Sequence, residues 1–282
     1  MLDNFSPDDD VQAVEIAMHD VIGTGPVAQI AKEHLAFGGQ RIRAKLALKT
    51  AARLDLPFEH AVACAACAEL LHNASLVHDD MQDGDELRRG HPTAWVTHGR
   101  AAALCAGDLM LSAAFGALAP LGPSAAAAIQ HAHRAVEATI RGQGRDIEAG
   151  RKTPFSPYVR IAQAKSGPLI ALAPRLVLVA AGCRGDRDAA RAGALIAIGY
   201  QISDDLADRD ADARANAPNA CLALEADGSS EAEARQRAAG YALRALALGA
   251  RAAHSIPASA GIPLAELAKQ VADPLKEIAH AA

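Results

Sequence analysis

Aromatic residues are scarce in this 282-residue chain, where Phe, Tyr and Trp together make up 3%. That scarcity removes the stacking platforms on which single-stranded nucleic acids lie and the aromatic-rich cores of β-sandwiches. An excess of basic charge is also missing. With 28 Lys and Arg against 33 Asp and Glu, the formal charge is −5. No positive field exists to hold a phosphodiester backbone, so no nucleic-acid partner is expected. Cysteine is sparse: five residues in a chain this long do not build a disulfide framework. Such usage fits a reducing, cytoplasmic compartment. Cys64 and Cys67 form a C-x-x-C with no second Cys or His pair nearby at zinc spacing, and they read as part of an Ala-rich helix. Long uncharged apolar runs are absent as well. The nearest, Pro168 to Cys183, is broken by Pro174 and Arg175, so stable membrane insertion is not expected. The opening MLDNFSPDDD is acidic, lacks an apolar centre, and does not read as a signal or transit peptide.

What is present is alanine, the best helix former, arranged in helical periodicity almost from end to end. Good helix formers fill Val11–Ile22, Val27–Ala36, Ile42–Arg53, Phe58–Asp83, Ala101–Ala119 and Pro123–Ala149. They continue through Phe155–Gly182, Asp188–Asp208, Ser230–Ser255 and Pro263–Ala282. Gly and Pro clusters punctuate these stretches, and no alternating strand pattern of any length occurs. The connections are short apart from Asp210–Ser230. The pattern predicts an all-α bundle of antiparallel neighbours forming one domain over residues 1–282.

Two carboxylate clusters stand out. The first is His78-Asp79-Asp80-Met81-Gln82-Asp83 and the second Ser203-Asp204-Asp205-Leu206-Ala207-Asp208, each ending an apolar helical run. On a helix, Asp79 and Asp83 share a face, as do Asp204 and Asp208. Asp80 lies about 100° round the axis and reaches a cation from the flank. Like charges four apart repel and weaken a helix, so two such clusters call for a compensating ion. Carboxylates with open positions suit Mg²⁺, which keeps waters and takes further ligands from phosphates. A single D-D-x-x-D can be a solvated helix end. Two copies, the first followed by Arg88 and Arg89 in a Gly90/Pro92 turn, point instead to an anion held through metal. Upstream, Gly38-Gly39-Gln40-Arg41-Ile42-Arg43 sets a Gly pair before a helix start, a second plausible anion site. Lys165-Ser166 adds a solitary basic residue at a helix interruption.

Together these segments resemble the trans-prenyl diphosphate synthases. Glu69-Leu70-Leu71-His72, then Ser75 to Asp83 and Arg88-Arg89-Gly90, look like that family's first aspartate-rich motif, and Tyr200 to Asp208 looks like its second. Gly39 to Arg43, Gly107-Asp108, Gly142-Gln143 with Asp146, and Lys165-Ser166 fall in the family's order at similar spacing. The resemblance implies an isoprenoid-synthase-type bundle around a deep apolar cavity, a homodimer, and three Mg²⁺ per active site. It implies that Asp79, Asp80 and Asp83 act with Asp204, Asp205 and Asp208 through those metals on an allylic diphosphate. Arg88 and Lys165 would contact that diphosphate directly, and Gln201 and Ser166 would line the place where the allylic cation forms. Isopentenyl diphosphate would sit near Arg43, His72 and Arg89, with Gln40 at one of its anchor positions.

The chain departs from the pattern in places. Gln40 stands where the family usually has Lys, and Ala44 where it commonly has Pro. The two lysines that usually follow the second motif are missing; Arg209 and Arg214 are the cations nearest to that place. Two alternatives therefore accompany the synthase reading: a terpene-cyclase-like enzyme that ionises a prenyl diphosphate, and a non-catalytic subunit of a hetero-oligomeric synthase. Product length is expected to depend on Ala74, five residues before Asp79, where the family often carries an aromatic stop. Alanine there, with Ser75 beside it and Leu71 a turn below, favours a geranylgeranyl product.

Overall fold

The computed structural model describes residues 7–150 and 153–280. Twelve α-helices carry the fold among the described residues, and the strands among them form a single two-residue ribbon. Contacts divide the chain into two compact units. The first takes the described residues up to Ala132 with Leu176–Gly182; the second takes His133–Arg175 and Cys183 onward.

The first unit holds α1 (Pro7–Ile22), α2 (Pro26–Ala36), α3 (Ile42–Arg53), α4 (Phe58–Asp83), α5 (Ala94–His98) and α6 (Arg100–Gly116). Helix α4 is its centre, packed against α1, α3 and α6. Its run of small residues from Ala63 to Ala68 is buried on every side, as a helix apolar all round must be. Cys64 and Cys67 lie within that run as free, fully buried thiols, in keeping with a structural reading of the C-x-x-C. The helix changes character in its last turn, where the first carboxylate cluster emerges, and Gly84 closes it in the left-handed conformation at φ 76°.

Beyond it the sequence suggested only a turn. The structure has a ribbon, β1 (Leu87–Arg88) antiparallel to β2 (His91–Pro92), pairing Leu87 with Pro92 and Arg88 with His91. Arg89 and Gly90 form its tip at φ 54° and 81°, the doubly positive backbone that tight hairpins favour.

The second unit holds α9 (Asp186–Ala215), α10 (Ala220–Ala226), α11 (Glu231–His254) and α12 (Ile262–His280). It also takes most of α7 (Ala125–Glu148) and α8 (Phe155–Ala180). Helix α9 packs on α10, α11 and α12. It also meets α8 at Gly193, where an added Cβ would lie 2.6 Å from that of Ala171; only glycine permits that approach. Helix α10 was not legible in the sequence, where Asp210–Ser230 reads as a connection. Its seven residues are too short to show a period.

Candidate active site

In the first unit the end of α4 sorts its carboxylates by exposure. Asp83 is open and Asp79 partly so, whereas Asp80 is 1% exposed. Arg88 reaches back from the ribbon and pairs with Asp80 through both Nε, at 2.6 Å to Oδ1, and Nη2. Burial raises the Asp80 carboxyl above its ordinary range in spite of this arginine. Its Oδ2 is buried with no partner. The sequence placed Asp80 at the flank of a metal; the structure turns one of its oxygens to Arg88. His78, the residue before the cluster, packs its ring against Gly107, where a Cβ would sit 2.3 Å from its Nε2, and lies 3.4 Å from Asp108. This gives Gly107-Asp108 a physical role that the sequence did not supply.

Beside the cluster is a concentration of positive charge and neutral imidazole. Arg89 folds over the Gly38–Gly39 loop and donates to the Gly38 carbonyl. Gly39 has φ 134°, and any Cβ there would lie 2.6 Å from the Arg89 guanidinium, so the Gly pair is a seat for that arginine. The first turn of α3, expected to offer its N–H groups to a ligand, offers them to Glu69 instead. Arg43 N and Ala44 N both donate to Glu69 Oε1 at 3.0 Å. Arg41 also turns inward, donating to the Leu35 carbonyl at 2.8 Å and to Glu15 at 3.2 Å. It ties the loop to α1, and Arg43 remains the cation of that helix start. Gln40 is exposed.

Burial, and then Arg43, Arg89 and Arg88, push the His72 imidazole well below its usual range. His34, which the sequence reading missed, is pushed down to about 4 by burial first and then by Arg88 and Arg89. Both rings are therefore neutral at pH 7. Nothing in the local spacing of His34 marks it; it is brought in by the fold of α2. Along α4, Ala74 is 1% exposed and Leu71 3%, and Ser75 donates to the His72 carbonyl at 2.8 Å.

In the second unit Asp204 and Asp208 are exposed on α9, while Asp205 is 3% exposed. Burial, then Asp208, raises the Asp204 carboxyl to about 6. Burial raises Asp205 to about 7, against the pull of Tyr158, Ala220 and Gln201. Ala220 N donates to Asp205 Oδ2 at 2.6 Å and Gln201 Nε2 to Oδ1 at 3.1 Å. Lys165 pairs with Asp146 at 2.6 Å, and its backbone crosses α7 at Gly142, where a Cβ would meet Lys165 N at 2.4 Å. Ser166, next to it, is half-buried. Arg209, one of the two cations nearest the missing lysines, is held away by Glu225 through Nε at 2.9 Å and Nη2 at 2.7 Å.

Among the described residues, no three His, Cys, Asp or Glu side chains converge closely enough to hold an ion by themselves. That suits Mg²⁺, which takes one or two carboxylates, waters and substrate phosphate oxygens rather than a closed protein cage. The unpartnered Asp80 Oδ2 and the high-lying acid of Asp205 are charges that burial penalises, and Asp204 stands beside the like charge of Asp208; a cation would offset all three. The residues fit the metal.

The first carboxylate cluster ends α4, as the sequence suggested, whereas α9 runs on past Asp208 to Ala215, so the second cluster lies within its helix. An all-α protein with one such cluster on a long helix of each unit, and an arginine group beside the first, has the features of a class that handles a metal-chelated anion. A family model described as polyprenyl synthetase matches residues 26–221, and the chain belongs to that family. It is 34% identical over 184 residues to a short chain isoprenyl diphosphate synthase of Methanocaldococcus jannaschii, covering 63% of this chain and 56% of that protein. It is 36% identical over 173 residues to a (2E,6E)-farnesyl diphosphate synthase of Mycobacterium tuberculosis, covering 60% of this chain and 48% of that protein. The matches thus span about half the length of these relatives. The geranylgeranyl pyrophosphate synthetase of Geoglobus acetivorans superposes with a TM-score of 0.83 at 23% identity, covering 94% of this chain and 99% of that one. A polyprenyl synthase from Caulobacter crescentus, solved with calcium and isoprenyl diphosphate, gives 0.78 at 23% identity over 98% and 96% of the two chains. Among the described residues no single helix is long and apolar enough to cross a membrane.

Proposed function

We propose that this protein condenses an allylic diphosphate with isopentenyl diphosphate to give a longer linear trans-prenyl diphosphate, geranylgeranyl diphosphate being the favoured product. The observation that carries the proposal is in the first unit. A carboxylate cluster, Arg88 and Arg89 on the ribbon, Arg43 on α3 and a neutral His72 stand on neighbouring elements there. A protein that only ionised a prenyl diphosphate would have use for the acidic clusters and little for a second group of anion-binding residues.

In this reading residues 1–282 act as one catalytic domain of a homodimer. Asp79, Asp80 and Asp83 of the first unit would hold Mg²⁺, as would Asp204, Asp205 and Asp208 of the second, Asp80 through the oxygen that Arg88 leaves open. Bound magnesium supplies the positive charge that offsets the leaving diphosphate. Arg88 and Lys165 contact that diphosphate as its carbon–oxygen bond breaks and the electron pair moves to oxygen, so fixed charge meets charge where it develops. Arg43, Arg89 and His72 hold isopentenyl diphosphate so that its double bond attacks the allylic carbon, and this positioning lowers the barrier further. Ser166 and Gln201 face the cation with their dipoles. The proton lost from the new chain goes to the released diphosphate, so no side-chain base is required.

The test is incubation of the purified protein with Mg²⁺, labelled isopentenyl diphosphate and a dimethylallyl, geranyl or farnesyl co-substrate, the products being dephosphorylated and read by mass. Label in an elongated linear alcohol is expected, and activity should vanish in chelator and return with Mg²⁺. A hydrocarbon formed without isopentenyl diphosphate would overturn condensation in favour of cyclisation. No turnover from any co-substrate would assign the chain to the role of a non-catalytic subunit.

A further inference from the structure

The junction of α9 and α10 carries an arrangement that the reaction scheme has not used. Helix α9 runs past the second cluster to Asp212, so Asp204, Asp208 and Asp212 form a stripe spaced by four residues. Asp212 does not stand with the other two as a third free carboxylate. Asn219, 1% exposed, donates its amide to Asp212 Oδ2 at 2.8 Å and to the Asp205 carbonyl at 2.8 Å. The amide oxygen of the same side chain accepts from Cys221 N at 2.8 Å and caps α10. Ala220 N, the next donor along, holds the Asp205 carboxylate. The Arg209–Glu225 pair closes α9 on α10 from a further point.

We propose that Asn219 is a positioning residue for the second carboxylate cluster, a proposal that rests on the metal-dependent reading above. Its two donated hydrogen bonds hold the Asp212 carboxylate to the α10 junction and fix α9 at Asp205. Asp204 and Asp208 are left as the pair of that stripe that meets a cation. Released, Asp212 becomes a further carboxylate one turn along the same stripe. Like charges at that spacing repel, and a cation would then be drawn along the helix, away from its working place.

Asn219→Asp separates this role from plain helix capping, because it keeps the oxygen that caps α10 and removes the donors that hold Asp212. Two readouts are taken on the full chain: the rise in melting temperature with Mg²⁺ and inorganic pyrophosphate, and the Mg²⁺ dependence of condensation. Groups that orient metal ligands typically cost 10–100-fold in metal affinity when removed. Asn219→Asp should therefore raise the half-saturating Mg²⁺ about tenfold or more in both readouts, beyond the fall in metal-free melting temperature that a buried carboxylate facing Asp212 brings. Asp212→Asn should leave the Mg²⁺ requirement near wild type. Asp212→Asn introduced into Asn219→Asp should recover most of the loss, with the new amide donating to the new carboxylate.

If Asn219→Asp fails to fold, Asn219→Ser, which still caps α10 but falls short of Asp212, carries the same expectation. A wild-type Mg²⁺ requirement in whichever of these variants folds would overturn the proposal. So would an Asp212→Asn variant as impaired as Asn219→Asp, because Asp212 would then be a ligand itself. Wild-type protein that is stabilised by Mg²⁺ and pyrophosphate yet condenses nothing would sink the proposed function while leaving Asn219 readable in the melting curves. Wild-type protein that is not stabilised at all would sink both.

Discussion

Asp79 and Asp80 are neighbours in the chain with opposite surroundings, and their substitutions should read differently. Asp79 is partly open on the face it shares with Asp83, whereas Asp80 is buried against Arg88. Asp79→Ala should lower kcat by roughly 10²–10³, the usual cost of losing one charge-stabilising contact. Asp80→Asn keeps the shape and loosens the hold on Arg88 without removing it, so it should lower kcat less than Asp79→Ala does. Steady-state kinetics at saturating Mg²⁺ checks both, and equal effects on kcat would end the distinction. Asp205 gives a pH signature. Its folded acid lies near 7, above the unfolded carboxyl of about 3.9, so the folded chain holds a proton that the unfolded chain has already lost. The stability that proton contributes is fully present below about pH 4 and is lost as pH rises through 7. Metal-free wild type should therefore fall in melting temperature relative to Asp205→Asn across that window. The comparison cancels the opposite trend of His34 and His72, which are common to both proteins.

At the scale of elements, α4 and α9 do the same thing with different means. Each carries an acidic cluster on a long helix, α4 in its last turn and α9 about two turns before its end at Ala215, and each gives the middle aspartate of its cluster to the protein: Asp80 to Arg88, Asp205 to the first N–H of α10. Helix α4 also caps another helix, since Glu69 takes the first N–H groups of α3. The chain-length expectation belongs to this helix. One turn rises about 5.4 Å, close to the length of an isoprene unit, so a bulky group at Ala74 would act as a stop roughly a turn and a half below the cluster. Ala74 is fully buried, so Ala74→Phe will overpack at a cost of about 1–3 kcal/mol. If the variant folds, its products should shift towards farnesyl length by mass. An unchanged distribution would mean that Ala74 faces a neighbouring helix rather than the growing chain.

Taken whole, the long helices were legible because alanine-rich periodicity over three or more turns admits little else; α3 and α4 end where their sequence signals end. The acidic clusters were legible because charge at the end of an apolar run has few structural explanations. What escaped the sequence depended on distance along the chain. Asn219 has no local motif, and its partners lie 14 and 7 residues away. His34 sits among arginines contributed by the ribbon and by the residue that precedes α3. The ribbon itself comprises two residues a side, below any period. Arg41 and Arg43 were alike in sequence and differ only because the left-handed backbone at Arg41, φ 48°, turns the first inward.

The buried thiols carry a consequence for how the molecule can be watched. Cys64 and Cys67 lie in the first unit and Cys221 in the second, all free and buried, and burial pushes Cys64 up to about 12 and Cys221 up to about 11. A thiol reagent at neutral pH meets Cys105 on the surface and Cys183 at its margin, and reaches the other three sulfurs only when the chain around them opens. The protein therefore carries two native clocks. The delay before Cys64 and Cys67 react times the breathing of α4, that before Cys221 times the breathing of α10, and mass spectrometry reads each without any introduced label.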